Sequence, residues 1–219
     1  MVGLILGLFL STPYLFALNI DFTDAAKFSG VHGNNSIVIT DPYSQGFDIG
    51  LATRPDTVMT FNQGDGIGIT EKNRSIGWEY DEIEWRERLE VAFLDDTGSL
   101  LNYKLDKIYI TDLFYEHNYY EQGRYSLLID ETWTDWTTFT ADPTQTLGNT
   151  NGVLYAAIGE IVQGIQFSGV QNSTYGQFEY SVGGLEVSGA PVPEPATLLL
   201  LGTGLLGLAG FGRKKMIKK

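Results

Sequence analysis

The residue types that carry nucleophilic catalysis are scarce in this chain. Cysteine is absent, and the two histidines, His32 and His117, lie in turn-rich sequence and in an aromatic segment. The Gly-x-Ser-x-Gly pattern, which presents a nucleophilic serine on a sharp turn, does not occur. A catalytic triad therefore has no support in the residues, and we predict no catalytic residue.

Carboxylates are the abundant chemical group instead. Between Asn19 and Ala190 the chain has 26 acidic and 9 basic residues, a formal net charge of −17. A polysaccharide hydrolase would need two carboxyl groups about 5 to 9.5 Å apart across a cleft, and the sequence selects no such pair. A surface of this charge repels nucleic acid, so no nucleic-acid partner is expected.

One short acidic segment could bind a cation. Asp81, Glu82 and Glu84 supply oxygen ligands of the kind that Ca²⁺ prefers, and no EF-hand loop is present. If the segment is extended, Glu82 and Glu84 lie on the same face of the strand. Two interpretations stay open, a Ca²⁺ site and solvated carboxylates in a turn. No other cofactor is indicated.

Aromatic residues lie on both sides of this acidic segment and recur further along the chain. Aromatic rings stack on sugar rings, and carboxylates accept hydrogen bonds from sugar hydroxyls, so the pattern is typical of a carbohydrate-binding surface. The same residue types are equally common in a β core, which is the alternative. The candidates are Trp78, Tyr80, Trp85, Tyr119, Tyr120, Trp133 and Trp136.

The elements that must position these residues are predicted to be short strands. Gly, Thr, Tyr, Phe and Trp are frequent, and turn residues interrupt apolar segments every 8 to 12 positions. The clearest strands are Leu89–Leu94 and Lys104–Leu113. Helix formers dominate residues 79–90, but their apolar spacing is not helical, so we expect a charged loop that leads into a strand.

About ten such strands between residues 19 and 188 predict one all-β domain. The expected fold is an antiparallel two-sheet sandwich with jelly-roll-like connections. Because the chain has no cysteine, its stability must come from packing rather than from disulfides.

The first residues have the pattern of a secretion signal. Val2–Leu10 is an apolar segment of nine residues, too short to span a bilayer and typical of a signal-peptide core. We therefore predict a signal peptide over residues 1–18. A buried N-terminal strand is the alternative.

The last residues have three parts in a fixed order. A linker at 189–195 ends in Val192-Pro193-Glu194-Pro195, and 17 apolar or small residues follow at 196–212. As a helix these would be about 25 Å long, enough for a short transmembrane helix. Five basic residues at 213–219 place that end in the cytoplasm by the positive-inside rule.

This order of a Pro-Glu-Pro signature, an apolar segment and a basic end resembles the PEP-CTERM sorting signal of exported proteins in Gram-negative bacteria. The resemblance covers residues 192–219 and implies recognition by an integral-membrane exosortase, which removes the tail near the signature. The host genomes of that family usually make exopolysaccharide. An ordinary tail anchor is the alternative. The resemblance assigns the sorting signal to Val192, Pro193, Glu194, Pro195, Arg213, Lys214 and Lys215.

Together these patterns predict an exported, non-enzymatic protein of the cell envelope or extracellular matrix, with a structural or adhesive role linked to exopolysaccharide. A carbohydrate-binding module, with or without Ca²⁺, is the second hypothesis, and a polysaccharide hydrolase the third. The expected partners are the secretion machinery, an exosortase, the inner membrane during processing, and exopolysaccharide. The precursor would be anchored in the inner membrane, and the processed protein would lie at the cell surface or outside.

Overall fold

The computed structural model describes residues 17–72, 82–116, 119–141, 154–172, 176–177 and 179–189. The predicted transmembrane helix at 196–212, the basic tail at 213–219 and nearly all of the predicted signal peptide lie outside these residues. Among the described residues, no helix is long and apolar enough to cross a membrane. The predicted domain boundaries therefore stay predictions.

Strands dominate the described residues. Helical structure in this part of the chain is limited to one turn of α-helix, α1 (Ala25–Phe28), and one 3₁₀ turn, η1 (Ser29–Val31). The strands are β1 (Ala17–Asp21), β2 (Ser36–Ile39), β3 (Asp48–Thr53), β4 (Thr57–Asn62), β5 (Gly66–Glu71), β6 (Leu89–Leu94), β7 (Tyr103–Thr111), β8 (Tyr115–Glu116), β9 (Tyr119–Tyr120), β10 (Gln122–Ile129), β11 (Thr132–Trp133), β12 (Thr137–Thr140), β13 (Leu154–Val162), β14 (Gly164–Gly169), β15 (Gln171–Asn172), β16 (Gly176–Gln177) and β17 (Ser181–Ser188).

Most strands belong to two antiparallel sheets. Sheet 1 has the order β13-β7-β17-β5-β4, and β1 also pairs with β17. Sheet 2 has the order β11-β10-β14-β6-β3-β2, and β12 also pairs with β10. The pairs β8–β9 and β15–β16 form two small ladders of their own. The predicted all-β, two-sheet antiparallel architecture is confirmed, and the jelly-roll connectivity stays a prediction.

The core lies between the two sheets because their strands alternate apolar and polar side chains. In β6, Leu89, Val91 and Phe93 are buried, while the residues between them are partly exposed. One hydrophobic cluster contains these side chains together with Ile108 and Leu185 from sheet 1. The two sheets therefore form the two layers of a sandwich.

Several predicted elements agree closely with the structure, and one central strand was missed. The prediction of Leu89–Leu94 matches β6 at both ends, and β7 lies within two residues of its prediction. The missed strand is β3, which pairs with both β2 and β6. Gly50 interrupts its apolar pattern, since glycine has no side chain. A β-carbon at this position would lie 2.9 Å from Leu94 Cδ1.

Residues 82–88 form a non-helical segment that leads into β6, as predicted. The segment is tied to both sheets. The Ile83 N–H donates to the Tyr180 carbonyl oxygen beside sheet 1 at 2.6 Å, and the Gly169 N–H of sheet 2 donates to the Glu84 carbonyl oxygen at 3.3 Å. Ile83 is fully buried, so this apolar side chain fixes the segment between the layers.

A charged network covers part of the solvent-facing surface of sheet 1. Tyr109 Oη donates to Glu186 Oε2 at 2.8 Å, and Lys107 Nζ donates to the same oxygen at 2.7 Å. Desolvation, together with the hydrogen bond and negative charge of Glu186, raises the pKa of Tyr109 to about 12. The hydrogen bonds from Lys107 and Tyr109 lower the pKa of Glu186.

Tyr109→Phe is expected to remove a pH-dependent part of the stability. The pKa of Tyr109 is higher in the folded state than the value of about 10 for an unfolded chain. Its contribution to the free energy of unfolding is therefore complete below about pH 10 and is lost as the pH rises through about 12. Denaturant unfolding of both proteins should show a free-energy difference that is constant below about pH 10 and shrinks above it. A free-energy difference that stays constant to pH 12 would contradict the raised pKa of Tyr109.

Candidate functional site

One surface of sheet 2 carries polar side chains that are buried although they face away from the core. In β14, Ile165 and Phe167 belong to the hydrophobic core, so Gln166 between them lies on the opposite surface. Ser126 of β10 and Glu90 of β6 are its cross-strand partners and share that surface. We define this outer face by Arg88, Glu90, Arg124, Ser126, Leu128, Gln166 and Ser168.

Two of the predicted aromatic residues lie on the outer face. Trp133 pairs in register with Leu128, which is not part of the core cluster. Trp136 lies between β11 and β12, with the guanidinium carbons of Arg124 and Arg88 at 4.6 and 5.7 Å from its ring centre. These distances are typical of cation–π contacts. The outer face therefore combines two partly buried tryptophans with two arginines.

Two polar atoms of the outer face have no hydrogen-bond partner among the described residues. Gln166 is only 4% exposed, and its Oε1 atom accepts no hydrogen bond. The Nε atom of Arg124 is likewise buried and donates none, while Arg124 Nη2 reaches Ser168 Oγ at 3.5 Å. Buried polar atoms are almost always paired, and an unpaired one costs about 1 to 3 kcal/mol. An unsatisfied acceptor and an unsatisfied donor are therefore built into one surface.

The register of β10 and β14 brings these two residues close together. Arg124 lies opposite Ser168, and Gln166 lies opposite Ser126, so Arg124 and Gln166 are diagonal neighbours. Diagonal neighbours on one face of a sheet are about 7 to 8 Å apart at their backbones, a distance that long side chains bridge. A single small molecule could therefore contact both side chains.

Arg124 also lacks a carboxylate partner within the described part of the chain. Its environment is unusual for a partly buried cation in such an acidic protein, since most other cations there are paired. The ion-paired cations of the described residues are Lys27, Arg54, Arg88, Lys104 and Lys107.

A pocket of about 380 Å³ lies where segment 82–88 passes the ends of β3, β4 and β5. We call it the rim pocket. It combines a tryptophan with carboxylates and two arginines, a composition that a polar ligand could use. Its lining residues are Arg54, Asp56, Thr57, Glu71, Glu84, Trp85, Arg86 and Glu87.

The polar groups of the rim pocket largely bind one another. Arg54 Nη1 donates to the Arg86 carbonyl oxygen at 2.9 Å, and Glu87 Oε2 accepts from the Glu84 N–H at 2.7 Å. The guanidinium carbon of Arg86 lies 3.9 Å from the ring centre of Trp85, so one face of that ring is covered. These contacts hold segment 82–88 in place, and we assign the rim pocket a mainly structural role.

Among the remaining aromatic candidates, only the side chain of Tyr120 is described, and it joins neither site. Tyr120 is 39% exposed and belongs to the small β8–β9 ladder, as does the backbone of Tyr119. Trp78 and Tyr80 lie outside the described residues. The described members of the predicted aromatic surface are therefore divided among the outer face, the rim pocket and the β8–β9 ladder.

The predicted metal ligands are only partly described. Glu82 and Glu84 flank the buried Ile83 and are partly exposed, and Glu84 lines the rim pocket. Asp81 lies outside the described residues. Within the described part of the chain, no three His, Asp or Glu side chains are grouped as metal ligands. Binding of Ca²⁺ stays a prediction.

Sequence reasoning missed the polar residues of the outer face. Arg88, Arg124 and Gln166 carry no motif, and they come from three different strands or their flanks. One weak signal existed, because Gln166 interrupts the apolar segment from Gly164 to Phe167 at the position that alternation places away from the core.

Comparison with known proteins identifies the end of the chain. The model of the PEP-CTERM protein-sorting motif matches residues 191–214. This match confirms the predicted resemblance and indicates an exported protein that an exosortase processes. The matched residues lie outside the described part of the structure. No curated protein and no solved structure is significantly similar to the chain.

Proposed function

Because this chain carries a PEP-CTERM protein-sorting motif, we propose that its β-sandwich is a structural or adhesive component of the cell envelope or extracellular polymeric matrix. The role is non-enzymatic and depends on contact with exopolysaccharide. The signal peptide at residues 1–18 starts export, and the helix at 196–212 anchors the precursor in the inner membrane. The exosortase then removes the tail, and the processed domain lies at the cell surface or outside the cell.

The outer face of sheet 2 is the observation that carries this proposal. Trp133 and Trp136 lie on it beside Arg88, Arg124 and Gln166. Ligand sites commonly combine apolar and aromatic surface with a few fixed polar groups. Tryptophan offers a flat apolar ring for the C–H face of a sugar, and amide and guanidinium groups bind its hydroxyls. A lectin-like activity of this face would provide the adhesion.

The rim pocket supports this assignment by contrast. Its buried carboxylate, Glu87, is 7% exposed and already accepts a hydrogen bond from the backbone of Glu84. A hydrolase would need a pair of carboxyl groups facing an open cleft. Arg54 and Glu87 of the pocket hold segment 82–88, so we assign this pocket a structural role rather than a hydrolytic one.

Trp136→Ala is expected to weaken binding to the exopolysaccharide of the producing organism. Loss of one aromatic contact should lower the affinity of the full-length protein, measured in mild detergent, by about three- to tenfold. Tyr155→Ala is the matched control, because Tyr155 is a 62% exposed aromatic residue on the opposite sheet. Binding should be measured with and without Ca²⁺.

The possible outcomes separate the hypotheses. Unchanged affinity of Trp136→Ala would contradict the role of the outer face. Binding that requires Ca²⁺ would support the lectin-like role and assign the cation to Asp81, Glu82 and Glu84. Absence of any saturable binding by the wild-type protein would overturn the link to exopolysaccharide and leave protein contacts as the basis of adhesion.

A further inference from the structure

We infer that the outer face recognises an anionic sugar, a uronate unit whose carboxylate binds Arg124 and whose hydroxyl group binds Gln166. This inference rests on the proposed function, since it specifies the glycan that the outer face contacts. It follows from the unpaired charge of Arg124, the unpaired atoms of the two side chains and their register on sheet 2.

The positive charge of Arg124 is not balanced by a carboxylate of the described residues. Between Asn19 and Ala190 the chain has 26 acidic residues, yet none of the described ones forms an ion pair with this partly buried guanidinium. Among the described residues, its guanidinium group contacts the Trp136 ring and the Ser168 hydroxyl, which provide no negative charge. A buried cation is stable only with compensation, and a bound anion would provide it.

The guanidinium group of Arg124 has donors in the geometry that binds a carboxylate. Arg124 Nε has no acceptor, and Nη2 makes only a long hydrogen bond of 3.5 Å to Ser168. Nε and one Nη group point in parallel and bind the two oxygens of a carboxylate as a fork. The Nε side of the guanidinium, where the one acceptor among the described residues is the distant Ser168 hydroxyl, therefore matches a carboxylate.

The unpaired acceptor Gln166 Oε1 indicates a hydroxyl group on the ligand. Gln166 Oε1 needs a hydrogen-bond donor, which an ionised carboxylate, sulfate or phosphate cannot supply. A sugar hydroxyl does supply one. A ligand that satisfies both side chains must carry a negative charge and a hydroxyl group a few ångströms apart, and a uronate meets both requirements.

A ligand must gain access to Arg124 Nε and Gln166 Oε1. Both are enclosed, and the ring of Trp136 lies 4.6 Å from the guanidinium carbon of Arg124. Thr134 is fixed by hydrogen bonds to β10, with Ser126 Oγ donating to its carbonyl oxygen at 2.7 Å. Trp136 lies two residues further on, outside the strand ladder. We expect this ring to leave the guanidinium when the ligand enters and then to pack against the sugar.

The experiment compares three oligosaccharides of equal length with the full-length protein in mild detergent. One contains uronate units, one is neutral and one is sulfated. Calorimetric titration should give an affinity for the uronate ligand at least about tenfold higher than for the neutral one. Tryptophan emission should change on binding, and the change should be smaller in Trp136→Phe, which leaves Trp133 on the same face.

Two variants test the individual side chains. Arg124→Lys keeps the charge but loses the fork, so uronate affinity should fall at least about tenfold while neutral-glycan affinity changes little. Gln166→Met should lower uronate affinity about fivefold and raise the thermal midpoint, because it removes a buried unpaired acceptor. A merely structural glutamine would not combine tighter folding with weaker binding. Lys104→Arg on sheet 1 and Gln45→Met in an exposed turn are the controls.

Each remaining outcome is decisive. Equal affinity for uronate and neutral ligands, or an unaffected Arg124→Lys variant, would overturn this inference while the proposed glycan contact stands. Preference for the sulfated ligand over the uronate would also overturn it. Failure to bind any glycan, including the native exopolysaccharide, would overturn the proposed function itself.

Discussion

Replacement of Glu194 by alanine is expected to block tail removal, so that uncut precursor accumulates in the membrane fraction and the processed protein disappears from outside the cell. Pro193 and Pro195 flank this residue, and each proline fixes φ and lacks an N–H group. A segment of this kind favours an extended backbone, the form in which proteases bind peptides. Glu194 is the only charge between the prolines, and it lies within the matched sorting motif at 191–214.

Mass spectrometry of the two fractions measures this effect. Wild-type protein recovered outside the cell should lack Lys219, whereas Glu194→Ala should retain it in the membrane fraction. Glu160→Ala is the control, because Glu160 is an exposed glutamate of β13 in the exported domain. Extracellular wild-type protein with an intact Lys219 would contradict processing of the tail.

Gly66→Ala is expected to cause a large loss of stability, although it adds only one methyl group. Gly66 has φ of +106°, and a β-carbon there would lie 2.3 Å from the Val182 carbonyl oxygen. The strained backbone and the clash together should cost about 3 kcal/mol or more. The site is sensitive because, in the described residues, the ladder between β5 and β17 consists of the single pair Ile67–Val182. The clash is therefore expected to separate the β4–β5 hairpin from the rest of sheet 1.

The matched control for this variant is Gly98→Ala. Gly98 has a similar backbone angle, φ of +84°, but a β-carbon there meets nothing within 4 Å. It should lose only about 1 kcal/mol, from backbone strain alone. For a domain of this size the thermal midpoint should fall by about 6 to 12 °C for Gly66→Ala and by about 2 to 4 °C for Gly98→Ala. Equal shifts would show that the cross-strand contact is unimportant.

These predictions concern different parts of the chain and can fail independently. The Glu194 variant tests export, and the Gly66 variant tests the packing of sheet 1. The Trp136 and Arg124 variants test the outer face of sheet 2. Because Gly66 and the outer face belong to different sheets, a folded Arg124→Lys protein that loses binding cannot be explained by damage to the β5–β17 junction.

Local sequence was sufficient to predict the strands in which apolar residues recur at every second position. Leu89, Val91 and Phe93 alternate with residues of lower hydrophobicity, and β6 lies where that alternation predicts. The loop at 82–88 also followed from the sequence, because its apolar residues do not repeat at a helical spacing. By contrast, β3 was missed because Gly50 weakens its local pattern, and its pairing with β2 and β6 compensates only in the folded sheet.

The sorting signal was also recognisable from sequence, and for a physical reason. Its parts are contiguous, so the order of signature, apolar segment and basic end is fully visible along the chain. An exported protein with an exosortase-processed tail could therefore be predicted without a structure.

The candidate binding site could not be predicted in the same way. Arg124 and Gln166 are distant in sequence and become neighbours only through the register of β10 and β14. Trp136 belongs to this site and Trp85 to the rim pocket, although both have the same residue type and a similar acidic or aromatic context. Sequence determined the strand alternation and the tail, since both depend on neighbouring residues. Tertiary structure decided which side chains share a surface, because strand register is set by packing between segments that are far apart in the chain.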